Sequence, residues 1–524
     1  MKVLQTKADH GLSNRRMTPR VAACAVLAVL AASEEADAQD GRWTSLERDL
    51  AAVHRTLLLP GIAAAVVDHG GVVWRGTYGW ADVDRRIPVS DSTLFAIASI
   101  TKTMTSLLVA QELERGRLRL DAPMPARGGR VAWQTGTTIR HVLSHTSEGA
   151  IGSEYLYSGS RFSRLGPVLE RAAAEPFSEL LATRVLRPAE MQHAFPSLAA
   201  VPESRRPFVA IPYKLHPNEP RLRATALPDP SVSAASGVVA SITDLGHYAA
   251  AVLNRRLASQ ASLDLLFTAT HSPVSGALPY GLGWFTQDYL GERVVWHYGQ
   301  EDAYASLLVL LPDRDLAFVA LSNSAAMSDA ARLLDGNVAR SLVASAFLRR
   351  VIPGQRDRLV ADSIVARALA AVYVARIDEA RELVHSVAAS DGGLAADLPL
   401  LYLLDRINDR SLDSLTHRVA SALLHGHPRH PPVLYFASEF EIQRGRPAEA
   451  ITIMERIDAT ANAYDHWSAI LCYLQLGEHY AASDSARARV YLQRVLDIGR
   501  DFAGAVGRAR ALLTKRDTVG VDRR

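Results

Sequence analysis

Two groups of β-rich runs, one near the start of the chain and one much further along, constrain the fold most strongly. In the first group, Gly61–Asp68 and Gly71–Tyr78 are separated by His69-Gly70, which is typical of a β-hairpin. The interval between the groups is helical in pattern, so we expect the α+β class, with one antiparallel sheet and helices packed on it. The second group predicts a run of strands, at Tyr280–Trp284, Val294–Trp296, Ser306–Leu311 and Leu316–Ser322.

A Ser-x-x-Lys tetrad, Ser99 to Lys102, lies after the hairpin in the run FAIASITKTMTSLL. Residues three apart share one face of a helix, so the Ser99 hydroxyl and the Lys102 amine can meet. A serine hydroxyl becomes an effective nucleophile when an adjacent base takes its proton, and a buried lysine with a lowered pKa can be that base. The spacing suits acyl transfer, although most such tetrads lie on solvated helix faces.

Six further segments follow the tetrad along the chain. In this order they resemble the serine β-lactamase-related hydrolases, specifically the class C-like branch that also holds penicillin-binding D,D-peptidases, D-aminopeptidases and esterases. Seven ordered matches are far more specific than the tetrad alone, and the resemblance extends over about residues 45–325. The six segments are Leu113–Asp121, Ile139–Ser147, Tyr157-Ser158-Gly159, Ser236-Gly237-Val238 with Thr243-Asp244-Leu245, Tyr280–Trp284, and His297-Tyr298-Gly299.

The resemblance implies a β-lactamase/transpeptidase-like domain over residues 43–350 and a covalent acyl-enzyme, without metal or organic cofactor. Ser99 would be the nucleophile and Lys102 its hydrogen-bonded activator. Tyr157 would be the second proton-transfer group, serving the leaving group and the deacylating water. A free tyrosine titrates near 10, so Tyr157 would act as a base only if a cation such as Lys102 stabilised its phenolate.

The resemblance also implies an oxyanion hole made by the backbone N–H groups of Ser99 and Gln300. Gly299 fits a strand edge that a substrate backbone approaches closely. His297 would bind a substrate carboxylate or carbonyl, more weakly than a lysine would at neutral pH. Taken alone, His297 is better explained as an ordinary strand-end histidine, and only its position in the family order makes the two explanations equal. Tyr157 is explained alone as a packing residue of a loop, but Ser-Gly and then a helix with Leu165-Gly166 follow it as in the family, which favours the catalytic role.

His141 and His145 are four residues apart, which is also the spacing of a metal-binding pair. No glutamate lies between them as in the zincin pattern. We therefore expect a structural role for the His-Thr-Ser segment that contains His145, and we predict no metal site.

Two departures from the family pattern concern the substrate. Gly159 stands where the family carries an asparagine, so a side-chain amide is missing. After Gly299 the family usually carries glycines, whereas this chain reads QEDAY. The two acidic groups, Glu301 and Asp302, would disfavour an anionic substrate by like-charge repulsion. Because penicillins and peptidyl-D-Ala-D-Ala both carry a carboxylate, the departures favour an esterase or peptidase over a β-lactamase or D,D-carboxypeptidase.

Residues 355–515 change to an alanine-rich helical pattern. Ala437 and Gly445 recur 32 residues later as Ala469 and Gly477. This spacing resembles tetratricopeptide repeats, which place small residues at helix crossings and a glycine at the turn between helices. Stacked repeats present a concave surface, so a protein partner is expected there. The alternative is a plain helical bundle that only supports the hydrolase domain.

The N-terminus has the pattern of an export signal over residues 1–38. Arg15, Arg16 and Arg20 precede the apolar run Val21–Ala32, and Ala36-Asp37-Ala38 is a small-residue cleavage site. We therefore expect a periplasmic or secreted protein. Net charge is +3, from 58 basic and 55 acidic side chains, which gives no electrostatic case for a nucleic-acid partner.

The sequence thus predicts an exported serine hydrolase that cleaves a small ester or amide (peptide) bond through a Ser99 acyl-enzyme. Its substrate would be a small molecule or a peptide. A true β-lactamase or D,D-carboxypeptidase is the alternative within enzymes. The alternative outside enzymes is a catalytically weak binding module that recognises a ligand while its helical repeats recruit a partner.

Overall fold

An antiparallel sheet of seven strands forms the centre of the fold in a computed structural model of the chain. The structure describes residues 41–125, 133–215, 222–328, 333, 335–352, 356–388, 396–458, 464–499 and 501–519. The chain divides into an N-terminal unit that ends at Asp49 and a unit from Leu50 to Arg524, which holds the sheet. The predicted export signal, residues 1–38, lies outside the described residues.

The strands follow the chain in two groups, as the sequence predicts. They are β1 (Gly61–Asp68), β2 (Gly71–Asp82), β3 (Ile87–Pro88), β4 (Phe95–Ala96), β5 (Tyr213–Leu215), β6 (Leu222–Ala224), β7 (Val239–Ala240), β8 (His271–Ser272), β9 (Gly276–Ala277), β10 (Phe285–Tyr289), β11 (Glu292–Gln300), β12 (Ala305–Leu311) and β13 (Leu316–Ser322). The sheet order is β10-β11-β12-β13-β1-β2-β3, and β4–β7, β5–β6 and β8–β9 form separate pairs.

The first hairpin confirms the turn signal in the sequence. His69 and Gly70 both have positive φ, 47° and 78°, which is the conformation of a tight hairpin turn whose twist matches the strands. The register pairs Ala65 with Arg75 and Gly61 with Gly79. On its other edge β1 pairs with β13, so the early and late β-rich runs join in one sheet. The α+β prediction is therefore confirmed.

Helices cover this sheet, which explains why β12 and β13 are buried at every residue. The helices in the first part of the chain are α1 (residues 41–56), α2 (Thr101–Glu114), α3 (Ile139–Leu143), α4 (Gly159–Phe162), α5 (Leu165–Ala173), α6 (Phe177–Leu181), α7 (Ile242–Leu253) and α8 (Gln260–Phe267). Helix α7 packs on β1, β2 and β13. It begins with a capping box in which Ser241 and Asp244 satisfy each other's backbone N–H groups.

The strand predicted at Tyr280–Trp284 is wrong, because β10 begins only at Phe285. Gly283 has φ +87°, and a Cβ atom there would lie 2.5 Å from Ser106 Cβ. The segment is therefore a tight turn packed on α2. The Trp284 indole N–H fixes this turn by donating to Ser106 Oγ over 2.9 Å.

The chain after the sheet is all-α, as predicted. Its helices are α9 (Leu342–Val351), α10 (Arg356–Tyr373), α11 (Ile377–Ala388), α12 (Leu398–Ile407), α13 (Asp413–Gly426), α14 (Pro431–Gln443), α15 (Pro447–Met454), α16 (Trp467–Tyr480), α17 (Ser485–Ile498) and α18 (Ala505–Val519). Neighbouring helices pack in pairs, including α10 with α11, α14 with α15 and α16 with α17.

The assignment of these helices to tetratricopeptide repeats stays a prediction. Ala437 and Ala469 are both buried, as helix-crossing residues would be. Gly445 has positive φ in the turn between α14 and α15. Gly477, its predicted counterpart, instead lies inside α16, where a Cβ atom would lie 2.6 Å from Leu492 Cδ2. Within the described part of the chain, no helix has both the length and the apolar character needed to cross a membrane.

Candidate active site

Ser99 lies in a 3₁₀ turn, Ala98–Ile100, that leads directly into α2. Ala98 has φ +47°, a left-handed conformation that costs free energy in a residue with a side chain. Ser306 holds the turn from the sheet, since its hydroxyl donates to the Ile97 carbonyl over 2.7 Å. Ser99 itself is partly exposed, whereas its neighbours on both sides are buried. The strained turn thus presents one hydroxyl at the surface of a packed core.

Lys102 meets Ser99 as the spacing predicts. Lys102 Nζ lies 2.7 Å from Ser99 Oγ and donates to the Ala235 carbonyl over 3.0 Å. The side chain is 1% exposed. Burial lowers the pKa of Lys102 to about 7, although the nearby Glu301 carboxylate acts in the opposite direction. A lysine that titrates near neutrality can accept a proton from a hydroxyl.

Tyr157 lies on the other side of Lys102, whose Nζ is 4.9 Å from the centroid of its ring. The Tyr157 hydroxyl is shielded from solvent and has no hydrogen-bond partner of good geometry. Burial raises the pKa of Tyr157, and the nearby Ser99 hydroxyl offsets only part of this effect. The phenol therefore keeps its proton at neutral pH, which suits it to donate a proton rather than to accept one.

His145 supports the backbone around Tyr157. Its Nδ1 accepts from the Ser158 N–H over 3.1 Å, and its carbonyl accepts from the Leu156 N–H over 2.8 Å. The two rings lie 4.4 Å apart between centroids. Burial lowers the pKa of His145 well below its usual value, so the ring stays neutral and its Nδ1 can accept. The structural role expected for the His-Thr-Ser segment is thus one of fixing Tyr157.

His141 has a different function from His145. Its Nδ1 accepts from the Thr138 N–H over 3.1 Å, which caps α3. Across the residues that the structure describes, no cluster of three or more His, Cys, Asp or Glu side chains is placed to hold a metal ion.

His297 lies in the sheet beneath Tyr157 and is fully buried. Its Nε2 is 2.8 Å from the Tyr280 hydroxyl, and its Nδ1 is 2.5 Å from the Tyr298 carbonyl. Burial and the charge of Lys102 lower the pKa of His297 to about 3, so the ring is neutral. Both nitrogens are engaged, and a substrate group would have to displace one of these two bonds.

Gly299 lies directly against the nucleophile turn. A Cβ atom at this position would lie 2.3 Å from the Ile97 carbonyl oxygen and 2.3 Å from Ser306 Oγ. It would also lie 3.0 Å from the Ser99 nitrogen, so only glycine fits. Gln300, the next residue, pairs with Ala305 at the end of β11. The backbone N–H groups proposed for the oxyanion hole therefore belong to two segments in direct contact.

A cavity of about 250 Å³ adjoins the turn, and its lining includes Ala98, Asp229, Ser233, Ser236 and Glu301. Burial raises the pKa of the Glu301 carboxyl group, although the charge of Lys102 and a hydrogen bond from the Ser236 side chain act in the opposite direction. In the sequence Glu301 is a departure from the family pattern, but nothing there indicates that its charge acts on Lys102. Two carboxyl groups, those of Asp229 and Glu301, thus line a cavity that adjoins the Ser99 turn through Ala98.

Comparison with known proteins extends these findings. A family model described as Beta-lactamase matches residues 46–341. The chain is similar to Protein flp of Staphylococcus aureus (strain MW2), with 26% identity over 330 residues, 55% of this chain and 63% of the relative. It is also similar to Unguisins hydrolase ungD' of Aspergillus campestris (strain IBT 28561), with 27% identity over 333 residues, 53% of this chain and 62% of the relative. The chain thus spans less than two thirds of these relatives.

Two solved structures also resemble the chain. The octameric penicillin-binding protein homologue from Pyrococcus abyssi has a TM-score of 0.48 and 22% identity, covering 54% of this chain and 73% of that one. D-alanine carboxypeptidase AmpC from Burkholderia cenocepacia has a TM-score of 0.47 and 19% identity, covering 55% of this chain and 95% of that one.

Proposed function

The chain belongs to the Beta-lactamase family, and we propose that it is a serine hydrolase that cleaves a small ester or amide (peptide) bond through an acyl-enzyme on Ser99. One observation carries the proposal. Lys102 Nζ lies 2.7 Å from Ser99 Oγ, and burial lowers the pKa of Lys102 to about 7. A large fraction of the Lys102 amine is therefore neutral at physiological pH, and the amine touches the hydroxyl that it would deprotonate.

The proposed reaction begins when Ser99 Oγ attacks the substrate carbonyl carbon and its proton passes to Lys102 Nζ. The backbone N–H groups of Ser99 and Gln300 stabilise the oxyanion of the tetrahedral intermediate. Tyr157 then gives its phenolic proton to the leaving oxygen or nitrogen, and the bond to the leaving group breaks. Lys102 returns a proton to Tyr157, so both groups regain their starting states and Ser99 is acylated.

In deacylation, water takes the place of Ser99 as the attacking group, and Ser99 becomes the leaving group. A water molecule attacks the acyl carbon and gives its proton to the Lys102 and Tyr157 pair, and Ser99 Oγ leaves and recovers a proton. The product is a carboxylic acid, and one water is consumed in each cycle. No residue changes its oxidation state.

The acidic cavity supports a substrate without a carboxylate near the scissile bond. Glu301 and Asp229 both line this cavity beside Ala98. An anionic group placed there would be repelled, whereas a neutral or cationic group would not. Penicillins and peptides ending in D-Ala-D-Ala are therefore expected to be poorer substrates than neutral esters or amides.

Export and partner binding are proposals that rest on the sequence alone. The signal pattern in residues 1–38 supports a periplasmic or secreted protein, which fractionation of cells producing the full chain would test. The helical-repeat pattern supports binding of a protein segment.

The proposed activity is tested by turnover of three substrates: a nitrophenyl acyl ester, an amino-acid amide and a chromogenic cephalosporin. Wild type is compared with Ser99→Ala and with Ser92→Ala, in which the control serine bonds to Ser90 at the surface. We expect ester or amide turnover that Ser99→Ala abolishes and Ser92→Ala retains. Cephalosporin turnover faster than that of the ester would favour the β-lactamase alternative. No turnover by folded wild type would favour a binding module.

A further inference from the structure

The loop that carries Tyr157 is held by the C-terminal helical region. We define the Tyr157 loop as residues 147–158, which lie between α3 and α4. Leu156 is 2% exposed and belongs to a buried cluster whose other members, such as Leu434 and Tyr464, all come from the helical region. The residue that precedes the candidate proton donor is therefore anchored in the core of the other domain.

Hydrogen bonds fix the same loop from the same side. The Tyr464 hydroxyl donates to Glu154 Oε2 over 3.1 Å. The Tyr464 ring also packs on Gly149, where a Cβ atom would lie 2.7 Å from the hydroxyl oxygen. His430 Nε2 lies 3.0 Å from the Tyr155 carbonyl. Residues from two different parts of the helical region thus contact three points of the Tyr157 loop.

A buried ion cluster joins the start of the loop to the helical region. Arg161, which follows the loop in α4, lies 3.6 Å from Glu148 and 3.5 Å from Asp465. The Asp465 N–H donates to Glu148 Oε2 over 2.8 Å, and Arg161 Nη1 donates to the Ser147 carbonyl over 2.6 Å. Arg161 and Glu148 are both almost fully buried. Such a cluster resists separation, because breaking it leaves an uncompensated buried charge.

We propose that the helical region is a positioning element of the active site, in which Tyr464, Asp465 and His430 fix the Tyr157 loop so that Tyr157 stays against Ser99 and Lys102. The inference rests on the proposed function, in which Tyr157 protonates the leaving group. Where Tyr464, Asp465 and His430 lie, the segment that the helical region binds is thus the Tyr157 loop of its own chain. A displacement of about 1 Å at a reacting group can lower a rate about a hundredfold, so contacts far from Ser99 can control the chemistry.

Tyr464→Phe tests the inference, because it removes the hydroxyl that bonds to Glu154 and to the Arg429 carbonyl and keeps the ring. Tyr473→Phe is the matched control: Tyr473 lies in the same buried cluster, but its hydroxyl donates to the Asp458 carbonyl inside the helical region. Two esters that share the same acyl group but differ in their leaving group are compared, a nitrophenyl ester and an alkyl ester. The nitrophenolate ion leaves without being protonated, whereas the alkoxide of the alkyl ester needs a proton to leave. A fluorophosphonate that labels Ser99 gives the concentration of active sites. The rates are expressed per active site, so misfolded protein does not affect them.

We expect Tyr464→Phe to lower kcat/KM, which reports the acylation step alone, roughly tenfold for the alkyl ester and to change kcat/KM for the nitrophenyl ester less than about twofold. Tyr473→Phe should leave both values unchanged, even if it lowers the melting temperature. His430→Leu, which removes the contact with the Tyr155 carbonyl, should act in the same direction as Tyr464→Phe. It also replaces that variant if Tyr464→Phe does not fold.

Tyr157→Phe separates failure of the inference from failure of the proposed function. If Tyr157→Phe slows the alkyl ester selectively and Tyr464→Phe does not, the inference is wrong and the proposed function stands. Equal losses with both esters, or losses that Tyr473→Phe shares, would also overturn the inference, because a purely structural role predicts them. If Tyr157→Phe is itself unselective, Tyr157 does not protonate the leaving group, and the inference falls with the proposed mechanism.

Discussion

Gly159 leaves open a space beside Lys102, since a Cβ atom at residue 159 would lie 3.9 Å from Lys102 Nζ. Residue 159 is the first of α4, immediately after its N-cap Ser158. It has no positive φ, so the backbone there accepts a side chain. The family asparagine that this chain lacks would therefore reach the catalytic amine directly, and its absence leaves Lys102 with fewer acceptors for its ammonium form.

Gly159→Asn should raise the pKa of Lys102. An amide oxygen that accepts from the ammonium group stabilises the charged form, so the rise of kcat/KM with pH should move to higher pH, by about 0.5 to 1 unit. The measurement is the pH profile of ester hydrolysis. Gly159→Ala is the control, because it adds a methyl group without an acceptor, and its profile should match wild type. A shift equal in both variants would contradict the account.

Lys102→Met should lower kcat about a hundredfold or more, because it removes the base in contact with Ser99. It should also raise the free energy of unfolding by about 1 kcal/mol at pH 7. The folded pKa of about 7 lies below the unfolded value of 10.5, so burial of this lysine destabilises the fold fully below pH 7. The penalty of burying Lys102 in wild type becomes smaller as pH rises toward 10.5. The stability advantage of Lys102→Met over wild type should therefore decrease between pH 7 and pH 10.

Denaturant unfolding at the two pH values measures this effect. Lys214→Met is the control, because Lys214 is exposed and pairs with Asp302 at the surface. It should change neither activity nor the pH dependence of stability. A Lys102→Met protein that is less stable than wild type at pH 7 would contradict the assigned burial penalty.

Glu301→Gln should increase acylation by anionic substrates roughly tenfold, because it removes a negative charge beside the nucleophile. The carboxylate of Glu301 raises the pKa of Lys102, so its loss should lower that pKa and move the rise of kcat/KM to lower pH. Penicillin acylation rates and ester pH profiles test the two effects. Asp302→Asn is the control, since Asp302 is 91% exposed. Equal effects of Glu301→Gln and Asp302→Asn would show that the Glu301 charge in the cavity is not what disfavours anionic substrates.

Gly299→Ala should abolish most activity, with a loss of about a hundredfold or more, because the added methyl group would push β11 away from the Ser99 N–H. The close approach of 2.3 Å to both the Ile97 carbonyl and Ser306 also predicts a lower melting temperature. Gly426→Ala is the control, since nothing lies within 4 Å of its Cβ position. Wild-type kcat in Gly299→Ala would exclude the proposed oxyanion hole.

The sequence predicts those parts of the fold that depend on local pattern. Apolar runs place β1 and β13, the His69-Gly70 pair places the hairpin, and the three-residue spacing of Ser99 and Lys102 brings their side chains together. Tyr280–Trp284 was misassigned because its composition is that of a strand, whereas its backbone is set by contact with Ser106.

Other features depend on contacts between distant residues and carry no local signal. The protonated state of Tyr157 follows from burial that the chain order does not reveal. His145 supports the backbone next to Tyr157, because its Nδ1 accepts from the Ser158 N–H, and His145 itself has a positive φ of 55°. The contact of Tyr464 with Glu154 joins residues 310 positions apart, so neither segment alone indicates it.

The central claim is a covalent intermediate on Ser99, and the most direct measurement is intact mass after brief mixing with an activated acyl ester and, separately, with a penicillin. Wild type and Ser99→Ala are measured side by side, and peptide mapping locates any adduct. The account predicts one acyl group on the peptide that contains Ser99, formed faster with the ester than with the penicillin. Ester turnover by folded wild type with no adduct, or with an adduct that persists in Ser99→Ala, would contradict it.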